Sequence, residues 1–155
     1  MRTALLLTLI SFLVLSARAQ TGHRQAAFNL SSKNLAIQGY DPVAYFNQSK
    51  AVEGKSSLAA TYQGVLYYFS TLENKNTFLG NPTRYEPQYG GWCAYAMGAK
   101  GEKVSVDPET FKILNGKLYL FYNSFFNNTL KSWNKDEKNL NAKADVNWNK
   151  IYSSK

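Results

Sequence analysis

The sequence predicts a small single α+β domain, in which short antiparallel β-hairpins pack with several α-helices. Three observations carry that expectation. Apolar, aromatic-rich runs flank Gln63-Gly64 and Asn115-Gly116, and both dipeptides have the two-residue form of a hairpin turn. The C-terminal stretch carries its apolar residues at helical spacing. With 155 residues, the chain has enough length for one hydrophobic core.

The elements follow in order. Arg2, an apolar run from Ala4 to Leu15, and Ala17-Arg18-Ala19 before Gln20 have the pattern of a secretory signal, assigned to residues 1–19. The run is short for a membrane span, and no second one follows, so no transmembrane segment is expected in the mature chain. Residues 20–34 read as a polar leader holding the only histidine, His23, which is expected to stay outside any site. The domain proper is assigned to residues 35–150. Near its start, Pro42 pushes Asp41 out of the helical region, where its carboxylate can bond nearby amides as a turn maker or serve as a polar group in a site.

Ala60–Tyr62 and Val65–Phe69 form the first hairpin, with Val65, Tyr67 and Phe69 on one face and Leu66 and Tyr68 on the other. Ser70-x-x-Glu73 has the form of a capping box opening a short helix to about Leu79, which Gly80-Asn81-Pro82 ends. Gly90-Gly91 lets Tyr89 and Trp92 turn inward if either glycine takes positive φ. Phe111–Leu114 and Lys117–Tyr122 form the second hairpin, with Leu118, Leu120 and Tyr122 opposite Tyr119 and Phe121. Beyond it, Phe126, Leu130 and Trp133 make one helical stripe, and Leu140, Ala144 and Trp148 another.

Composition narrows the function. The chain carries 18 Lys+Arg against 10 Asp+Glu, for a formal charge of +8, and loss of the signal removes Arg2 and Arg18. The remaining excess is spread lysine, which reads as a solvated surface, with an anionic partner or membrane surface as the alternative. Only Arg24 and Arg84 remain for bidentate phosphate contacts, so no nucleic acid is expected. No carboxylate pair, cysteine–histidine pair or phosphate-binding glycine run points to catalysis, and the balance is against an enzyme.

Cys93 and Met97 are the only sulfur atoms after the signal, four residues apart and so on one face of a helical turn. A thiolate and a thioether suit Cu(I) or another soft metal. Cys93 in a first helical turn also suits an acidified redox thiol, and its apolar neighbours equally suit core packing.

The run Phe69 to Tyr85 keeps the skeleton F-C-x-x-x-C-x-x-x-F-x-x-x-P-x-x-Y, with Ser70 and Asn74 at the cysteine positions, and Asp41-Pro42-Val43-Ala44 resembles D-P-V-C. On these residues, together with Gly39–Phe46 and Tyr89–Tyr95, the chain from about Ile37 to Trp148 resembles the YHS domain, a relative of the TRASH metal modules. Gly39–Phe46 and Tyr89–Tyr95 closely resemble a secreted bacterial branch of that family. The resemblance implies a metal-linked or small-ligand-binding role, while Ala44, Ser70 and Asn74 cannot supply the thiolates such sites require. The expected protein is therefore exported, to the periplasm or the extracellular space. It would be a binding protein with a site built from Asp41, Cys93 and Tyr95, and with Cys93 and Met97 as metal contacts. Its ligand, metal or exported protein partner is undefined. A thiol-redox protein using Cys93 and a purely structural or interaction module are the alternatives.

Overall fold

The structure is a computed structural model and describes residues 22–153, so the expected signal segment lies outside the described residues. The fold is α+β. Helix α1 covers residues 22–27. Strands β1 (Leu30–Ser31), β2 (Leu35–Ala36), β3 (Lys55–Tyr62) and β4 (Val65–Phe69) make a four-stranded sheet in the order β1-β2-β4-β3. Its pairs are antiparallel except β2 with β4, where Leu35 stands opposite Leu66 in parallel register. Helices α2 (Ala44–Asn47), α3 (Leu72–Gly80), α4 (Pro82–Tyr85) and α5 (Ala94–Lys100) precede a second hairpin. That hairpin joins β5 (Asp107–Leu114) and β6 (Lys117–Phe121). A small hairpin of β7 (Asn123–Ser124) and β8 (Asn127–Asn128) leads into α6 (Thr129–Trp133) and α7 (Glu137–Ser153).

Both glycine turns form where the sequence places them. In β4, Val65, Tyr67 and Phe69 are buried while Leu66 and Tyr68 are half-buried, so the predicted faces separate as expected. In β6 the alternation has a larger consequence. Leu118 and Leu120 enter one core cluster with Tyr45, Val65, Phe69, Phe78 and Cys93. Tyr119 and Phe121 enter a second cluster with Met97, Trp133, Leu140 and Ala144. One strand thus serves two cores through its two faces.

Helices α5 and α7 close the second cluster. Gly98 permits their approach, since a Cβ there would stand 2.4 Å from the carbonyl oxygen of Leu140. In α7 the stripe Leu140, Ala144 and Trp148 faces inward, as the spacing predicts.

Three expectations are corrected. The helix α3 is capped by Thr71, whose hydroxyl accepts from the Asn74 N–H at 3.1 Å, and Ser70 lies outside the cap. Thr and Ser are adjacent, so local pattern alone fixes the cap only to within one residue. Phe126 joins no helical stripe, because the chain forms the β7–β8 hairpin before α6 begins at Thr129. Residues 22–33 are not a separate leader: Arg24 and Ala27 are buried, Trp92 Nε1 donates to the Ala27 carbonyl at 2.8 Å, and β1 joins the sheet. The His23 ring packs at a tilt against Tyr152, with centroids 4.6 Å apart.

Candidate functional site

The residues at the three cysteine positions of the YHS-like pattern converge in space, and Asp41 stands where they meet. Asp41 is wholly buried. Its Oδ1 accepts from the amides of Val43 at 2.9 Å and Ala44 at 3.4 Å. Its Oδ2 accepts from the Ser70 amide at 2.8 Å, the Ser70 hydroxyl at 2.6 Å and Asn74 Nδ2 at 2.7 Å. Asn74 is held in turn by Asn47, whose Nδ2 donates to Asn74 Oδ1 at 2.9 Å. Five donors occupy the acceptor positions of one carboxylate, so the side chains at 70 and 74 are committed to Asp41. Asp41 acts as a turn maker toward residues 43 and 44 and as a tether between that turn and the start of α3. Oxygen and amide groups form a satisfied hydrogen-bond network at these positions.

Cys93 stands just before α5, fully buried in the first cluster. Its Sγ accepts from the Tyr122 N–H at 3.3 Å and lies 3.4 Å from Thr129 Oγ1. The Thr129 hydroxyl donates its one proton to the Tyr122 carbonyl at 2.7 Å, which leaves the thiol as the donor to Thr129. Met97 is also fully buried, but it belongs to the second cluster. The helical spacing brings the Met97 N–H to the Cys93 carbonyl at 3.0 Å, while the two side chains serve different cores. Tyr95 is half-buried and lines a recess of about 250 Å³ with Lys100, Glu102 and Tyr122, and Cys93 stands in its wall. Asp41, Cys93 and Tyr95 therefore do not form one constellation: Asp41 bonds the 43–44 turn and α3, and the other two border the recess beside α5. Among the described residues, no group of three or more His, Cys, Asp or Glu side chains is placed to hold a metal ion.

A larger cleft, about 440 Å³, opens between α1, the 86–90 loop and α7. Phe28, Trp148 and Tyr152 form an aromatic wall, with Phe28 and Trp148 ring centroids 6.0 Å apart and Trp148 stacked on Tyr152 at 5.4 Å. Gly90 sits against that wall at φ 60, where a Cβ would fall 2.8 Å from Phe28 and 2.9 Å from Trp148. Arg24 ion-pairs with Glu86, which also accepts from the Tyr67 hydroxyl at 2.5 Å. The Arg24 guanidinium stacks 4.5 Å from the Phe28 ring centroid. Its Nε is buried without a hydrogen-bond partner among the described residues. Burial opposes the Arg24 charge, but Glu86 outweighs it and holds the guanidinium pKa above its ordinary value. Across the cleft, Tyr89 donates to Asp145 at 3.0 Å, and burial followed by the Asp145 charge pushes the Tyr89 phenol up. Lys117 lies on the rim.

This cleft is not legible from local sequence patterns. Arg24 and Glu86 are 62 residues apart, and no local pattern links them. The available signal was the i, i+4 pair Trp148 and Tyr152 on the last helix.

The fold and these sites define a small α+β domain with a saturated buried carboxylate and an aromatic, charge-lined cleft. Among the described residues, no helix is long and apolar enough to cross a membrane. Comparison with known proteins gives no match to a family model, a curated protein or a solved structure.

Proposed function

We propose that this chain is an exported, YHS-like binding protein that takes a small polar ligand with a planar or apolar part in the cleft beside Arg24. The observation that carries this reading is the meeting of an aromatic wall with paired charges in a concavity of about 440 Å³. Ligand pockets have this size, and the lining here is more polar than apolar, with the aromatic wall on one side, which suits a polar ligand carrying a planar part. The YHS resemblance is supported by the convergence of positions 44, 70 and 74 on Asp41. That convergence also argues against thiolate-type metal binding at these positions, because their polar groups are already committed.

The test is a thermal-shift screen of the mature protein with free amino acids, small carboxylic acids, Cu(I) and Zn(II). One organic class should raise the midpoint in wild type and Cys93→Ser alike and fail to do so in Trp148→Ala. A Cu(I) shift lost in both Cys93→Ser and Met97→Leu would instead return the site to the sulfur pair.

A second reading, a structural or interaction module without a small ligand, is favoured by the zero exposure of Cys93 and its use as a packing and hydrogen-bonding group. It predicts that no compound in the screen shifts the midpoint.

A further inference from the structure

The β7–β8 hairpin ends in Phe125 and Phe126, which are 100% and 106% exposed. Two adjacent phenylalanines without burial are unusual on a small soluble domain, where aromatic side chains supply most of the core. The backbone adds to the anomaly. Ser124 pairs with Asn127, leaving Phe125-Phe126 as a two-residue loop with Phe125 at φ 47. Such loops favour glycine or asparagine where φ is positive, and a bulky residue there is strained. No burial of the ring within this domain offsets the strain, so an internal packing role does not explain the residue choice. The hairpin itself is anchored: Asn123 Nδ2 donates to Asp107 at 3.3 Å, and the Thr129 amide donates to the Tyr122 carbonyl at 3.0 Å.

The local charges balance, three lysines against three carboxylates, so it is the basic excess of the chain that favours an anionic partner. Exposed Lys131 and Lys135 follow the hairpin on and just after α6, and Lys100 borders the same recess as Asn127. The carboxylates nearby are Glu102, in that recess, Asp107, which is engaged by Thr110 and the Glu109 amide, and Asp136, which accepts from Asn139. Without residues 1–19 the chain carries 16 Lys+Arg against 10 Asp+Glu, a formal +6. We propose that the Phe125-Phe126 tip inserts into the interface of an anionic lipid bilayer, with Lys100, Lys131 and Lys135 facing the headgroups. A protruding apolar pair enters a deformable acyl boundary without needing a shaped pocket, and basic side chains add attraction to anionic lipid. The occupant is thus a membrane surface, and the tip serves as a reversible anchor for a domain in which no described helix is long and apolar enough to cross it.

The experiment is flotation of the mature protein with phosphatidylcholine vesicles and with phosphatidylcholine–phosphatidylglycerol vesicles, at low and high salt. Binding should appear with the anionic vesicles and weaken with salt. Phe125→Ser combined with Phe126→Ser should lower the partition coefficient by about tenfold or more while leaving the thermal midpoint unchanged. A Phe126→Trp variant should show quenching by brominated acyl chains. Equal binding by wild type and the double variant overturns the proposal, as does no binding to either vesicle. It is also overturned if the double substitution abolishes self-association without vesicles and does not change flotation, which would make the tip a contact between copies.

Discussion

The Ser70 hydroxyl lies 2.6 Å from Asp41 Oδ2, joining residues 29 positions apart through a carboxylate with no exposed surface. With the Ser70 amide and Asn74 Nδ2 on the same oxygen, the turn at 41–44 and the start of α3 hold each other in place. Replacing Asp41 with alanine orphans several buried donors, each worth about 1–3 kcal/mol. Asp41→Ala should therefore destabilise the fold by about 3 kcal/mol or more, and Ser70→Ala by about 1–2 kcal/mol. Urea titration would measure both, and additivity of Asp41→Ala with Ser70→Ala would count against a shared network.

If positions 44, 70 and 74 form the same cage as the thiolates of the YHS-like pattern, restoring sulfur should restore metal binding. The combined variant Ala44→Cys, Ser70→Cys and Asn74→Cys is expected to bind one Zn(II) per chain and gain thermal stability with it. Equilibrium dialysis provides the readout, and a folded variant that takes up no zinc removes the structural support for the resemblance.

Cys93 should behave as a packing group. Its thiol is buried and bonded to Thr129 and the Tyr122 amide, so a thiol reagent can reach it only through opening of the fold. Native protein should react more than about tenfold slower than protein in denaturant. Equal rates would show a thiol open to solution and revive the redox reading.

Alkaline pH should unfold the protein. Burial raises the phenol pKa values of Tyr45, Tyr67, Tyr89 and Tyr119, with Glu86 adding to the effect at Tyr67 and Asp145 at Tyr89. An unfolded tyrosine titrates near about pH 10, so above that pH the folded state holds more protons than the unfolded one. The stability from these phenols is intact below about pH 10 and is lost as pH rises toward the folded values. Tyrosinate absorbance should rise in a cooperative step that coincides with loss of far-UV circular dichroism. A gradual rise with the dichroism unchanged would mean that the phenols titrate in the native state.

Arg24 holds α1 to the domain through Glu86 and the Tyr62 ring. Both charged side chains are nearly buried, with 8% and 11% exposure. Arg24→Ala leaves the Glu86 carboxylate without its cation and should cost about 3 kcal/mol. Arg24→Lys should recover part of that loss, because an ammonium keeps the charge but not the planar stacking. Thermal denaturation of the two variants measures the difference.

Much of the local structure was legible from short-range signals. Asn115-Gly116 and Gln63-Gly64 place their hairpins correctly, and Leu140, Ala144 and Trp148 mark the inner face of α7. The errors arose where short-range signals compete. Ser70 and Thr71 are both good caps, and only the pull of Asp41 on the Ser70 hydroxyl decides between them. Phe126 lies four residues before Leu130 and so mimics a helical stripe across what is a hairpin tip. The candidate site was less legible still. Arg24 meets Glu86 across 62 residues, and Asn74 meets Asp41 across 33, distances at which periodicity carries no information. Cys93 and Met97 share a helical turn, as their spacing says, but spacing could not reveal that two separate cores claim their side chains.

The alternating faces of β6 make errors of strand pairing self-defeating. A slip of one residue would send Tyr119 and Phe121 toward Tyr45 and Phe78 while sending Leu118 and Leu120 toward Trp133 and Met97, mismatching both interiors at once. Neither half of the molecule can tolerate the wrong alignment while the other keeps the right one. The Asn115-Gly116 turn thus proofreads two interiors with a single registration, and a lesion in that turn would be felt at opposite sides of the strand together.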